Sequence, residues 1–305
     1  VIYGGKFFMI TLKSDRLRVE LPMPGEHPND SLRFDRAGYI SEVILDGGMH
    51  FCASEPRNLV HPSSGGRGLC CEFRCDVSSE ARVGEYFPKF GVGLIRKEED
   101  DKYIFYKQYQ DVKPFPVEVS QKENMVEFIT QGIPCLGYNM RVCKNIMLED
   151  DTLTMLIQTE NTGEKEIHMQ EFCHNFISID GMAAGSDYVL ELPGIPDQGD
   201  GRINNRRGYS GGFRGYGRGF TFCEFTAIDT DLSVDVSTIS REIPFLWKML
   251  HKGAGAYVEG KEYFVPSQIN IWGVDHILSP EIVYGFDLKP GEKLEWKRKW
   301  KFGIL

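Results

Sequence analysis

Residues 166–179 read EIHMQEFCHNFISI, and their alternation decides the fold. Successive side chains of a strand point to opposite faces of the sheet. One face therefore carries His168, Gln170, Phe172, His174, Phe176 and Ser178. The other carries Ile167, Met169, Glu171, Cys173, Asn175, Ile177 and Ile179, a set suited to a packed interior. The same division recurs in SQINIW (267–272), where Ile269 and Ile271 oppose Gln268, Asn270 and Trp272. In EIVYGFDL (281–288), Ile282, Tyr284, Phe286 and Leu288 form the apolar row. Glu281 stands out of phase with that row, directly after Pro280.

Outward from these stretches, strand signals dominate the chain. FMITLK (8–13), RLRVELP (16–22), YISEVIL (39–45), YIFYKQY (103–109) and MVEFIT (125–130) are short, alternating and rich in aromatic and β-branched residues. RVCKNIML, LTMLIQT, DYVLELP, FTFCEF, LSVDVSTI and LEWKRKWKF read the same way, with turn chemistry between them in LDGG, LEDD, NTGEK and LKPGEK. Helical periodicity is weak, and only PFLWKMLHKG (244–253) offers a helical turn or two. Many short strands without long helices predict an all-β fold, a large antiparallel β-sandwich forming one domain over residues 1–305. No internal repeat is visible, which argues against a propeller.

Composition narrows the function classes. Forty-four acidic against 35 basic residues leave a net charge of −9. An acidic chain is a poor general binder of nucleic acid, which requires cations to displace counterions from phosphates. No run of about 18 apolar residues is present, so no membrane helix is expected. The opening VIYGGKFFMI lacks the pattern of a secretory signal, and the expected location is the cytoplasm. Eight cysteines are too sparse for a disulfide scaffold. Cys70, Cys71 and Cys75 cluster without the paired spacing of a zinc site, so reduced core thiols are expected and no metal.

Segment 201–219, GRINNRRGYSGGFRGYGRG, departs from this composition with five arginines and no acid. The expectation is a long loop beside a cleft, its guanidinium groups without a local acid partner and suited to carboxylate or phosphate ligands. An RNA-binding segment is the competing reading.

His174, Trp272 and Glu281 thus stand on three strands, each opposite an apolar row. On a shared face they form an acid–base pair beside an aromatic platform. Gln170, Gln268 and Asn270 add amide donors and acceptors of the kind sugar hydroxyls require, while the C–H face of a sugar ring stacks on an aromatic.

The segment Asn161-Thr-Gly-Glu-Lys, followed by His174-Asn-Phe, resembles the aldose 1-epimerase (galactose mutarotase) family. The ending SPEIVYGFDLKPGEKLEWKRKWKF is similar to that family's C-terminal stretch, with its Pro-adjacent Glu and its Pro-Gly-Glu turn before a last strand of Trp and basic residues. FDRAGYISEVILDGGMHFC is similar to the opening strands of galactose mutarotase-like sandwiches. The resemblance implies that His174 protonates the ring oxygen and that Glu281 takes the proton of the anomeric hydroxyl. It also implies that Arg67, in GGRGL, binds substrate. It departs at 87–96, FPKFGVGLIR, where many members carry a histidine and this chain has Lys89 and Phe90 before Gly91.

The implied reaction opens the hemiacetal ring, rotates the C1–C2 bond of the aldehyde and closes on the other carbonyl face. The ligand is a small sugar or sugar derivative, and no cofactor is required. A sugar-filled cleft is expected to raise the Glu281 pKa toward working pH. A non-catalytic sugar-binding protein on the same fold is the alternative. Asp275, near Glu281 in sequence, is a further substrate-binding candidate and the second carboxylate of a glycosidase or lyase reading.

Overall fold

The alternating stretches form antiparallel strands where their period places them. The computed structural model describes residues 9–26, 32–55, 64–203, 212–223 and 230–305. Helix among the described residues is limited to three short 3-10 turns, at Ser78–Glu80, Ile179–Gly181 and Val236–Thr238. The architecture is an all-β antiparallel sandwich.

The smaller of its two principal sheets has five strands, in the order Thr230–Val234, Gln268–Val274, Ile277–Leu288, Ile167–Phe176 and Gly68–Arg74. The larger has eleven. From one edge it runs Arg202–Ile203, Phe213–Gly215, Gly219–Phe222, Tyr188–Glu191, Phe245–His251 and Ala256–Glu262. It continues through Lys293–Ile304, Thr152–Asn161, Met140–Glu149 and Met125–Thr130 to Val117–Lys122. A four-stranded sheet near the N-terminus and a three-stranded sheet over residues 86–114 complete the fold.

The two principal sheets share one apolar core. Ile167, Met169, Cys173, Ile269, Ile271 and Ile282 meet Met155, Ile157, Trp247 and Trp300 there, all buried. Burying a side chain of this size contributes about 1.5–3 kcal/mol, so the division of faces at 166–179 is energetically decisive.

One charged group crosses this interior. Arg298 is wholly buried and grips Glu171 with two hydrogen bonds, Nη1 to Oε1 at 2.7 Å and Nη2 to Oε2 at 2.9 Å. Its Nε donates to Glu262 at 3.1 Å, and Trp296 and Trp247 donate their indole N–H groups to Glu171 and Glu262. Glu171 belongs to the smaller sheet and Arg298 to the larger, so the network ties the two together.

Three expectations are corrected. PFLWKMLHKG holds a strand, Phe245–His251, in place of helical turns: Phe245, Trp247, Met249 and His251 are buried at period two. Residues 103–109 form no strand: two of their backbone donors go to side chains and Lys107 closes a turn onto the Ile104 carbonyl. Ser78 Oγ accepts from the Tyr103 N–H and the Tyr109 hydroxyl from the Ile104 N–H, while Tyr103 and Tyr109 stack.

Segment 201–219 is not one long loop, since its described parts supply three short strands to the edge of the larger sheet. Arg214 there has an acid partner, Asp200, at 2.6 Å, and Arg218 donates to the Pro193 carbonyl. Arg206 and Arg207 lie outside the described residues.

No helix among the described residues is long and apolar enough to cross a membrane. Cys71 faces the core beside Met155, whereas Cys70, next along the strand, faces away from it. Among the described residues no three potential metal ligands converge.

Candidate functional site

The site is built on the face of the smaller sheet turned away from the core, and a break in a ladder creates it. Strand Ile167–Phe176 pairs with Ile277–Leu288 from Ile167↔Leu288 to Glu171↔Tyr284. An isolated bridge, Ile177↔Leu278, keeps the same register further on. That register sets Asn175 opposite Pro280, which has no N–H to donate. The Asn175 side chain fills the gap, donating to the Pro280 carbonyl at 2.6 Å, and the Asn175 N–H donates to Ser279 Oγ at 3.0 Å. Trp300 in the opposite sheet donates to Asn175 Oδ1 at 3.0 Å and holds the amide in place.

The same register brings His174 opposite Glu281. His174 Nε2 lies 3.0 Å from Glu281 Oε1, with both side chains almost fully buried. Ser279 Oγ lies 2.8 Å from His174 Nδ1. The Glu281 carboxylate can only accept, so in neutral His174 Nε2 carries the proton and Nδ1 accepts that of the Ser279 hydroxyl. The network therefore assigns neutral His174 the Nε2–H tautomer, donating to the Glu281 carboxylate. Asn270 Nδ2 approaches Glu281 Oε2 at 3.3 Å, and Gln268 Nε2 donates to Asn270 Oδ1 at 2.9 Å.

Aromatic rings fix the imidazole. Phe176 stacks on it with centroids 3.8 Å apart and planes within 1°, while Trp272 meets it edge-on at 5.2 Å and Phe34 at 5.9 Å. Gly66 makes room for this stack, since a β-carbon there would fall 2.0 Å from the Phe176 ring. Gly66→Ala is accordingly expected to lower stability by about 1–3 kcal/mol through overpacking. It should also shift the His174 ring resonances, and chemical denaturation and NMR read the two effects; unchanged resonances would show that the ring is held from elsewhere.

Burial holds the His174 pKa below its ordinary 6.5, against the pull of Glu281. Donation from Ser279 to Nδ1 favours the neutral ring in the same direction. For Glu281, burial pushes the pKa up. The charge and hydrogen bond of protonated His174, with Arg74 and Arg33, outweigh burial and hold it at about 2. The expected upward shift of Glu281 is thus reversed, because cations close by dominate desolvation.

Of the residues singled out from sequence, Gln170, His174, Gln268, Asn270, Trp272 and Glu281 share this one face. Gln170 is exposed, level with Arg74, while Gln268 and Trp272 are half-buried beside the pair. Two residues are not brought in. Arg67 donates from Nε to the Ser41 carbonyl at 3.0 Å. Asp275 occupies the turn between Gln268–Val274 and Ile277–Leu288, where it is exposed and pairs with His276.

The cations of the site are instead Arg33 and Arg74. Arg74 and Glu72 alternate with core-facing Cys71 and Phe73, a period legible in CCEFR. Ser279, two residues before Glu281, was legible by the same rule. Arg33 carried no such signal, because it lies outside any strand and reaches the site only through the fold.

Three structures illustrate the likeness of this fold to known ones. A protein from Synechocystis sp. PCC 6803 superposes with a TM-score of 0.61 at 12% identity, covering 99% of this chain and 97% of the other. The galactose mutarotase related enzyme from Lactobacillus acidophilus gives 0.60 at 11%, with 97% of each chain covered. A galactose mutarotase-like protein from Lactobacillus casei ATCC 334 gives 0.58 at 11%, covering 97% of this chain and 100% of the other. No protein-family model and no curated relative matches the chain. At these identities the likeness shows a shared galactose mutarotase-like β-sandwich fold.

Proposed function

We propose that this protein interconverts the anomers of an aldose or aldose derivative, with Glu281 as base and His174 as acid. The observation that carries the reading is the 3.0 Å approach of His174 Nε2 to Glu281 Oε1 on a face shared with Trp272, Asn270 and Gln268. The two oxygens that exchange protons in mutarotation, the ring oxygen and the anomeric hydroxyl, are bonded to the same carbon. An acid and a base that serve them must therefore be near neighbours, as this pair is.

In the reactive state His174 is protonated and Glu281 ionised. Glu281 takes the proton of the anomeric hydroxyl as His174 gives one to the ring oxygen. The bond from C1 to the ring oxygen breaks, and C1 becomes an aldehyde. Rotation about C1–C2 turns its other face toward the former ring oxygen, now a hydroxyl. Closure forms the bond again, returns that hydroxyl proton to His174 and protonates the new anomeric oxygen from Glu281. Atoms and charges balance without a cofactor, and each proton transfer typically contributes about 10²–10⁴-fold.

The pKa directions set the pH dependence. Glu281 is in its base form above about 2, and His174 is in its acid form only below a pKa that lies under 6.5. Exchange measured as kcat/KM is expected to be highest in mildly acidic solution and to fall as pH rises through the His174 pKa. An alkaline limb above neutrality would contradict these roles.

The second reading is a carbohydrate-binding protein without catalysis. It draws on the low exposure of the pair, 2% for His174 and 5% for Glu281. Exchange NMR on a sugar that binds in saturation-transfer experiments separates the two readings: binding without exchange selects the second.

A further inference from the structure

Beside the dyad lies a cavity of about 240 Å³ whose walls include Glu72, Arg74, Asp76, Lys89, Tyr103 and Phe105. Its position follows from the ladder between Gly68–Arg74 and Ile167–Phe176. Cys70 is opposite His174, Glu72 opposite Phe172 and Arg74 opposite Gln170. Two to four residues along a strand at about 3.3 Å each, on a neighbouring strand about 4.8 Å away, put the backbone of this wall roughly 8–14 Å from that of His174, a gap that the long side chain of Arg74 narrows. Arg33 bridges the two regions, because its guanidinium lies over Phe34, which touches His174, and over Phe105 of the cavity.

Three cationic groups gather around one buried carboxylate of the cavity wall. Glu72 is approached by Arg33 at 2.8 Å, Arg74 at 3.6 Å and Lys89 at 3.7 Å. Asp76, a second carboxylate of the wall, is exposed and accepts the Ser78 N–H. The Arg74 guanidinium lies over the Phe172 ring, 4.2 Å from its centroid, is one-third exposed, and its side chain makes no hydrogen bond among the described residues. Its guanidinium thus lies over a ring at the cavity wall, with its Nη groups in no hydrogen bond or ion pair among the described residues. Buried Lys89 donates to the Phe73 carbonyl at 2.7 Å and keeps further N–H groups. Burial lowers the Lys89 pKa, and repulsion from Arg33 and Arg74 adds to that effect against the pull of Glu72. An anion in the cavity relieves that repulsion.

We propose that this cavity binds an anionic substituent, phosphate or carboxylate, carried by the sugar at the end remote from its anomeric carbon, with Arg74 as the principal contact and Lys89 as the second cation. The inference rests on the reading of His174 and Glu281 as the anomeric site. It makes the substrate an acidic aldose derivative. It also gives buried Lys89 a task of its own.

The test is calorimetric titration of the full chain with glucose, glucose 6-phosphate and glucuronate, repeated with the galactose series and with inorganic phosphate. Wild type is expected to bind one acidic sugar about 10-fold or more tightly than its neutral parent, the preference weakening with added salt. Arg74→Gln should bring that ratio near one, and Arg74→Lys should restore part of it for phosphate. Whether phosphate or carboxylate benefits identifies the anion. Equal affinity for neutral and acidic sugars, an unchanged ratio in Arg74→Gln, or no binding of any of these sugars would overturn the inference. Arg74-dependent binding of an acidic sugar without anomer exchange would remove the epimerase reading and leave this one standing. Exchange with no acidic preference would do the reverse.

Discussion

Glu281→Gln is expected to slow anomer exchange by about 10²-fold or more, and His174→Asn by a similar factor, because each removes one proton transfer. The double variant should lose less than the product of the two, since the residues act as a unit. Glutamine keeps the size of Glu281 and one oxygen for the His174 N–H, 3.0 Å away, so the ring stack with Phe176 should persist. Polarimetry or exchange NMR reads the rates. Undiminished exchange in both variants would place the chemistry elsewhere. Folding stability measured on the same variants separates the roles, because a purely structural pair would lose stability along with rate.

Arg298→Met is expected to lower folding stability by about 3–5 kcal/mol, the range for breaking a buried charged network from one side. The substitution leaves the Glu171 and Glu262 carboxylates buried without their cation, each still holding an indole N–H. Combining it with Glu171→Gln and Glu262→Gln should recover much of the loss, because uncharged partners no longer require compensation. Urea unfolding followed by tryptophan fluorescence reports it directly, since Trp247 and Trp296 belong to the network. A loss under about 1 kcal/mol for Arg298→Met would show that the apolar core alone holds the sheets together.

The sandwich was legible because period two is local. The alternation at 166–179 assigned Ile167, Met169, Cys173 and Ile177 to the core, and the structure buries them there. It also put Glu171 and Asn175 on the core face without naming what they meet. Those partners, Arg298 and Trp300, are more than a hundred residues away in sequence, and local period carries no information at that range. Where alternation failed, at 103–109, side-chain oxygens had taken two of the backbone donors that a ladder would have used. At 244–253 a short apolar run fitted both periods, and burial against the core selected the strand.

The candidate site divides along the same line. Local sequence determined which residues turn away from the core: His174 and Gln170 on one strand, Trp272, Asn270 and Gln268 on another, and Glu281 just after its proline. Tertiary structure decided which of them meet. Pro280 interrupts the ladder opposite Asn175, and Ser279 and the Asn175 amide take over the freed groups. The register held on either side then brings His174 and Glu281 into contact. It also decided the charge state, because burial and the convergence of Arg33 and Arg74 depend on segments far apart in the chain. Asp275, close to Glu281 in sequence, was carried into an exposed turn, while Arg33, from outside any strand, was brought to the site. A period of two settles which face a side chain takes. Only the pairing of strands and the packing of loops upon them settles which charges stand together on that face.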